Sequence, residues 1–175
     1  LEICDIGIRG LRAISYTRGR ELLLSDLSIL TRRFEVFPPT FTTRTFKNGL
    51  ESLVEHYRGL GYFRARVVDK HVETNQKKGC VRLLVDVAEG PHWSLKFDGN
   101  DNSIEQTLRD ELPFFDSGYV DREEIRRAER AIQKLYETRG YPFATVEGRE
   151  IRRDRLDRQI VFDIEEGPRL EIERL

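Results

Sequence analysis

The chain has 175 residues, and 35% of them are charged, but 30 Lys and Arg stand against 31 Asp and Glu, a formal net charge of -1. A near-cancelling balance gives no field of one sign to draw the chain to nucleic acid or anionic lipid, so a polyanion partner is disfavoured. No apolar run approaches the ~18 residues that span a bilayer, and no basic-apolar-small pattern opens the chain, so neither a membrane-spanning helix nor a signal peptide is predicted.

In chain order, the first segment, LEICDIGI, alternates like a strand already under way, which suggests a piece of a longer protein. Cys4, Ile6 and Ile8 share its apolar face. Residues 11–45 give no clear pattern, and Pro38 and Pro39 within FEVFPPTF oppose helix. Phe46, Leu50, Leu53 and Tyr57 then form a helical stripe, Val67 lies on a second, charge-rich strand (RARVVDKHVET), and Leu83, Val85 and Val87 alternate along a third that runs into Glu89-Gly90-Pro91.

The order then starts again. Trp93, Leu95 and Phe97 alternate and stop at Asp98-Gly99-Asn100. Ser103 and Gln106 have capping-box spacing, with Ile104, Leu108 and Leu112 at helical spacing before Pro113 ends the segment. Asp121, with Glu124 three later, can cap a second helix whose stripe is Ile125, Ala128, Ile132, Leu135 and Tyr136, closed by Gly140. Ala144 and Val146 open a second strand (FATVEGREIR), and Ile160, Phe162 and Ile164 form a third, ending at Glu166-Gly167-Pro168. Leu170, Glu171 and Ile172 follow as Trp93, Ser94 and Leu95 follow the first EGP. They read as the opening of a further unit.

The repetition is explicit. YRGLGYFRARV from Tyr57 to Val67 and YETRGYPFATV from Tyr136 to Val146 agree at five of eleven positions, 79 apart, and LLVDVAEGP and IVFDIEEGP are 77 apart. Only the intervening hairpin has changed length, as expected of a structural repeat with a tolerant turn. The predicted units are 1–91 and 92–168, with 169–175 starting a third. Each reads βααββ: an α+β unit with a three-stranded mixed sheet and two antiparallel helices on one face. Strand three is central and uniformly apolar, parallel to strand one, and strand two is an open edge.

These residues, namely a strand ending Gly-Asn, a helix ending Y-x-x-x-G-Y-x-x-A-x-V and a strand ending E-G-P, resemble the POTRA (polypeptide-transport-associated) family. The second unit carries the whole signature, whereas the first has Gly10-Leu11 in place of Gly-Asn and a longer connection to its helix. The resemblance implies tandem POTRA domains of a BamA/TamA-like outer-membrane assembly factor: the periplasmic arm, in a Gram-negative bacterium, of a protein with an outer-membrane barrel. It implies unfolded outer-membrane proteins and lipoprotein or periplasmic accessory proteins as partners. A two-partner secretion transporter, recognising one dedicated substrate, is the alternative within the same resemblance.

The mechanism open to such a unit is β-augmentation, in which an extended client pairs with the strand-two edge by main-chain bonds that read no particular sequence. The candidate residues are Arg66, Val67, Val68 and Asp69 in the first unit and Thr145, Val146 and Glu147 in the second. Charged edges are also how proteins avoid pairing, so the same residues fit a protected edge. Glu89, Gly90 and Pro91, and Glu166, Gly167 and Pro168, lie where one unit hands over to the next and are expected to set that joint.

Other residues suggest no chemistry. His56, His71 and His92 share no spacing, no acid-base pair stands out, and neither an enzyme activity nor a cofactor is indicated. Tyr57, Tyr62, Tyr136 and Tyr141 read as core packing. Arg149, Arg152, Arg153, Arg155 and Arg158 are interleaved with Glu150, Asp154 and Asp157, a solvated hairpin of mixed charge. Cys4 and Cys80 form no CxxC or Cys-His cluster, so zinc and redox sites are not indicated. With unbroken alternation, Cys80 lies on the face opposite Val81 and Leu83 while Cys4 shares the apolar face, so a disulfide is disfavoured.

Overall fold

A computed structural model describes residues 1–25, 40–100 and 105–170. It divides into two compact units, Leu1–Gly90 and Pro91–Leu175. Ser103 of the capping box, Ile104 of the helical stripe, the FEVFPP residues and positions 171 and 172 of the third opening strand lie outside the described residues.

In the first unit β1 (Glu2–Arg9) leads through α1 (Tyr16–Leu23) to the long α2 (Thr43–Gly59), then to β2 (Arg66–Asn75) and β3 (Cys80–Ala88). The order in the sheet is β1-β3-β2, with β1 parallel and β2 antiparallel to β3. The α2 stripe of Phe46, Leu50, Leu53 and Tyr57 is buried with Ile6 of β1 and with Val81, Leu83, Val85 and Val87 of β3 in one core. Helix α1 begins at Ser15, whose hydroxyl accepts from the Arg18 N–H (3.1 Å), and α2 at Thr42, which exchanges side-chain and main-chain bonds with Thr45. Both caps fall in the stretch where periodicity is weak.

The second unit repeats the plan with β4 (His92–Asp98), α3 (Glu105–Asp110), α4 (Phe114–Ser117), α5 (Arg122–Thr138), β5 (Thr145–Arg152) and β6 (Asp157–Glu165), in sheet order β4-β6-β5. Helix α3 is short and stops before Pro113, as its spacing predicts, and Pro113 then precedes the separate single turn α4, which buries Phe114 and stops at Gly118. Asp121 caps α5 by accepting from the Glu124 N–H (2.9 Å), and Ile125, Ala128, Ile132 and Tyr136 are buried as their spacing predicts. Gly10 and Gly99 end the opening strands at positive φ. A Cβ on either would collide with the carbonyl oxygen of Val87 or Ile164 on strand three, so only glycine fits there.

One expectation is overturned. Cys4 and Cys80 form a disulfide, with Cα atoms 5.7 Å apart, within the usual range for such a bond. The β1–β3 register passes from Ile3↔Val81 to Asp5↔Arg82 and leaves Cys4 as a bulge residue without a partner of its own. A bulge resets the two-residue alternation. Ile6 and Ile8 therefore pair with Leu83 and Val85 on the helix face, while Cys4 joins Cys80 on the other. Unbroken alternation places Cys4 wrongly because that one extra residue is invisible in the apolar pattern.

The bond closes a loop of 76 residues. Peptide mass spectrometry without reductant is expected to recover the Cys4–Cys80 link, and Cys4→Ser with Cys80→Ser to lower stability by about 2–4 kcal/mol. Two free thiols in oxidised protein would contradict the pairing.

Candidate functional site

The middle strand of each sheet is bonded on both sides, so the outer strands offer the unpaired main-chain groups. Strand one is such an edge as well as strand two, the edge the sequence points to. In the first unit local groups cover part of that edge: Phe41 N–H donates to the Leu1 carbonyl (2.7 Å), and the Tyr16 hydroxyl donates to the Ile6 carbonyl. In the second unit Arg109 Nη2 reaches the Leu95 carbonyl at 3.5 Å. In the first unit, strand two is therefore the more open side.

Antiparallel pairing alternates residues that bond to the partner with residues whose N–H and C=O point away. In the second unit the Arg153 N–H donates to the Asp157 carbonyl (3.2 Å), which fixes the phase of the hairpin. Counting back along the register, Val146, Gly148, Glu150 and Arg152 face outward. The Gly148 N–H, accordingly, donates to Glu129 Oε1 (2.7 Å) and not to β6. In the first unit the equivalent positions are Val67, Lys70, Val72 and Thr74, because β2 has its own irregularity between Val67 and Asp69, with Val68 as the extra residue.

Of the candidate residues, Val67 and Val146 lie in the outward register, each half-buried against its helix. Arg66, Asp69, Thr145 and Glu147 occupy the inward, bonded positions, with side chains exposed. Val68 is 54% exposed at the bulge. The edge thus continues past these residues, toward Val72 and Thr74 and toward Glu150 and Arg152. The hairpin phase reveals those positions, and composition does not.

Beside each edge lies a groove under the long helix. In the first unit it has a volume of about 340 Å³, with Leu50, Val54 and Val67 in it and Lys47, Glu51 and Lys70 at its margin. Its counterpart in the second is lined by Ile125, Arg126, Glu129, Gly148 and Arg149.

The two glutamates of the joints turn inward, while Gly90, Gly167 and Pro168 are exposed. Glu89 is buried, and its Oε1 accepts from the Tyr57 hydroxyl (2.7 Å) and from the N–H groups of Arg12 (2.6 Å) and Ala13 (2.9 Å). Glu166 Oε1 accepts from the Tyr136 hydroxyl at 3.1 Å. Each EGP glutamate therefore ties the end of the long helix to the exit of strand three inside its own unit. Tyr62 and Tyr141 pack edge-on against the same tyrosines, ring centroids 5.9 Å apart in both units. Core packing of the tyrosines is what the sequence predicts, but the hydrogen bonds are not. The signal was present, since Tyr and Glu are both shared between the repeats. Gly90 and Gly167 follow with positive φ.

In the arginine-rich hairpin Arg149 pairs with Asp163 and Arg158 with Glu150 (2.8 Å), on adjacent strands. The N–H groups of Leu156 and Asp157 donate to the Asp154 carboxylate and hold it below the ordinary carboxylate range. Among the described residues no group of His, Cys, Asp and Glu could hold a metal, and no helix is long and apolar enough to cross a membrane.

Burial first, and then the bond to Glu89, raise the Tyr57 pKa well above the ordinary phenol value; Tyr136 is raised likewise, by burial and by Glu166. The folded state keeps these protons where the unfolded chain releases them, above about pH 10. Stability supplied by the phenols is thus complete below pH 10 and declines as pH rises beyond it. Denaturation measured between pH 8 and 11 is expected to show that decline, and Tyr57→Phe to flatten it while lowering neutral-pH stability by about 2 kcal/mol. An unchanged slope in Tyr57→Phe would contradict this role.

The family model POTRA, described as surface antigen variable number repeat, matches residues 14–90 and 94–167. The outer membrane protein assembly factor BamA of Neisseria meningitidis serogroup B (strain ATCC BAA-335 / MC58) is 22% identical over 110 residues, 61% of this chain. The match spans only 14% of that relative's length. The crystal structure of Haemophilus influenzae BamA POTRA3-5 is similar in fold, with a TM-score of 0.50 and 21% identity, covering 96% of this chain and 67% of that one. CdiB from Escherichia coli matches with a TM-score of 0.38 and 12% identity, over 93% of this chain and 26% of that one.

Proposed function

We propose that this chain, which belongs to the POTRA family, is part of the periplasmic arm of an outer-membrane β-barrel assembly protein. There it receives unfolded outer-membrane proteins, and lipoprotein or periplasmic accessory partners, by β-augmentation on strand two. The observation that carries the reading is the edge itself. Strand three is the middle strand in both units, and the outward main-chain groups of Val72 and Thr74 on ten-residue β2 have no partner among the described residues. Main-chain pairing of this kind binds extended segments regardless of sequence, as a carrier of many clients requires. The disulfide supports the same reading, since such bonds persist in oxidising compartments such as the periplasm.

In this reading residues 1–91 and 92–168 are successive units of the arm, and Glu89-Gly90-Pro91 and Glu166-Gly167-Pro168 limit the freedom of the chain where it leaves each one. The glutamates contribute by fixing the exit of strand three from within.

Proline in place of Val72 or Thr74 removes an outward N–H without removing a bond to β3, so the sheet should survive. Capture of a urea-unfolded outer-membrane barrel protein, diluted into buffer with the chain, is expected to weaken about fivefold in each variant, the effect of one main-chain bond. Unchanged capture by variants with native circular dichroism would contradict augmentation on β2.

A further inference from the structure

The two strand-two edges differ at one outward position. The registers Lys70↔Val85 and Gly148↔Phe162 make Lys70 and Gly148 equivalent, since Val85 and Phe162 hold the same place in their central strands. At Gly148 the helix comes in close: a Cβ there would lie 2.7 Å from Ile125 Cγ2 and 2.9 Å from Phe162 Cε1. The groove there is about 350 Å³, no smaller than that of the first unit, but half-buried Glu129 lines it and takes the outward N–H of Gly148 at 2.7 Å. A carboxylate on a backbone N–H is a charge-assisted bond, stronger than the neutral carbonyl a client strand would bring to replace it.

In the first unit the 79-residue offset of the helices places Leu50 where the second has Glu129. Lys70 has a full side chain, and the groove beside it keeps an apolar floor of Leu50, Val54 and Val67. Its outward N–H is held by Asp69 Oδ1 (2.8 Å), a neighbour on the same strand. This too is a carboxylate on an outward N–H, but Asp69 is 54% exposed where Glu129 is half-buried, so solvent weakens its hold and lets it swing off the strand.

We propose that extended clients pair with β2 of the first unit and not with β5 of the second, and that Glu129 is the residue that excludes them from β5. The inference rests on the augmentation reading above. The occupant is an extended segment with apolar side chains at every second position. Those side chains lie on the helix face, over Leu50 and Val54, while the intervening ones emerge beside Asp69, His71 and Glu73. There, basic or hydroxyl residues match the charge.

The test uses the 175-residue chain and a synthetic ten-residue peptide of alternating Leu and Thr with a Lys at each end. A benzophenone photocrosslinking side chain replaces either Val72 or Glu150, which are equivalent outward positions. In the native background, crosslinking from position 72 is expected to exceed that from 150 about tenfold. Glu129→Leu, which installs the residue of the first unit, is expected to raise the yield at 150 to that at 72. It should also speed exchange of the Gly148 amide about tenfold and leave the inward amides of Glu147 and Arg149 unchanged. Glu129→Gln, of the same shape but a weaker acceptor, should fall between, and carries the test if the leucine variant does not fold. Equal yields at 72 and 150 in the native background would overturn the inference and leave augmentation standing. So would a silent position 150 once Gly148 exchange has accelerated. No crosslinking at either position would remove augmentation itself, and this inference with it.

Discussion

Strand three in the middle of each sheet is the constraint on which the rest depends. Its parallel neighbour, strand one, has to be reached through helices, because a parallel connection is too long for a hairpin, and those helices then cover one face. Its antiparallel neighbour follows directly in a hairpin and is left with nothing beyond it. The most apolar strand is thus also the most enclosed, with Val81, Leu83, Val85 and Val87 in one unit and Ile160, Phe162 and Ile164 in the other all buried. The same arrangement that protects the core leaves a row of main-chain groups on strand two.

The units keep their internal ties constant and vary their edges. A glutamate just past strand three, buried in the first unit and half-buried in the second, meets a tyrosine at the end of the long helix in both copies, and a second tyrosine packs on the first. The geometry of strand two relative to its helix is therefore set at the junction where the helix passes into the strand. Beyond that junction the copies differ, with Val68 as an extra residue in one and Gly148 close under the helix in the other. Duplication with such divergence gives two edges of the same topology and different accessibility.

Much of this was legible in the residues. Period-two apolar runs marked the strands, the Tyr57 and Tyr136 segments marked the repeat, and the contrast between apolar strand three and charged strand two gave the sheet order. What escaped has identifiable causes. A single extra residue at Cys4 reverses the face of everything before it, so the disulfide was misjudged. Helix α1 is only eight residues long and starts from a lone Ser15 cap, leaving little periodic signal. Which edge residues point outward depends on hairpin phase, and the Arg153–Asp157 bond fixes that phase. Glu129 carries no signal in the sequence, because its partner is a backbone N–H nineteen positions away in the chain.

The most direct test of the central claim, that strand two is a usable edge, is amide hydrogen exchange along β2 in the 175-residue chain with and without an unfolded outer-membrane barrel protein. Alone, the outward amides of Val72 and Thr74 should exchange quickly and the inward amides of His71 and Glu73 slowly. With the client present, Val72 and Thr74 should become protected. Outward amides that are already slow in the chain alone, or that stay fast with client bound, would contradict the account.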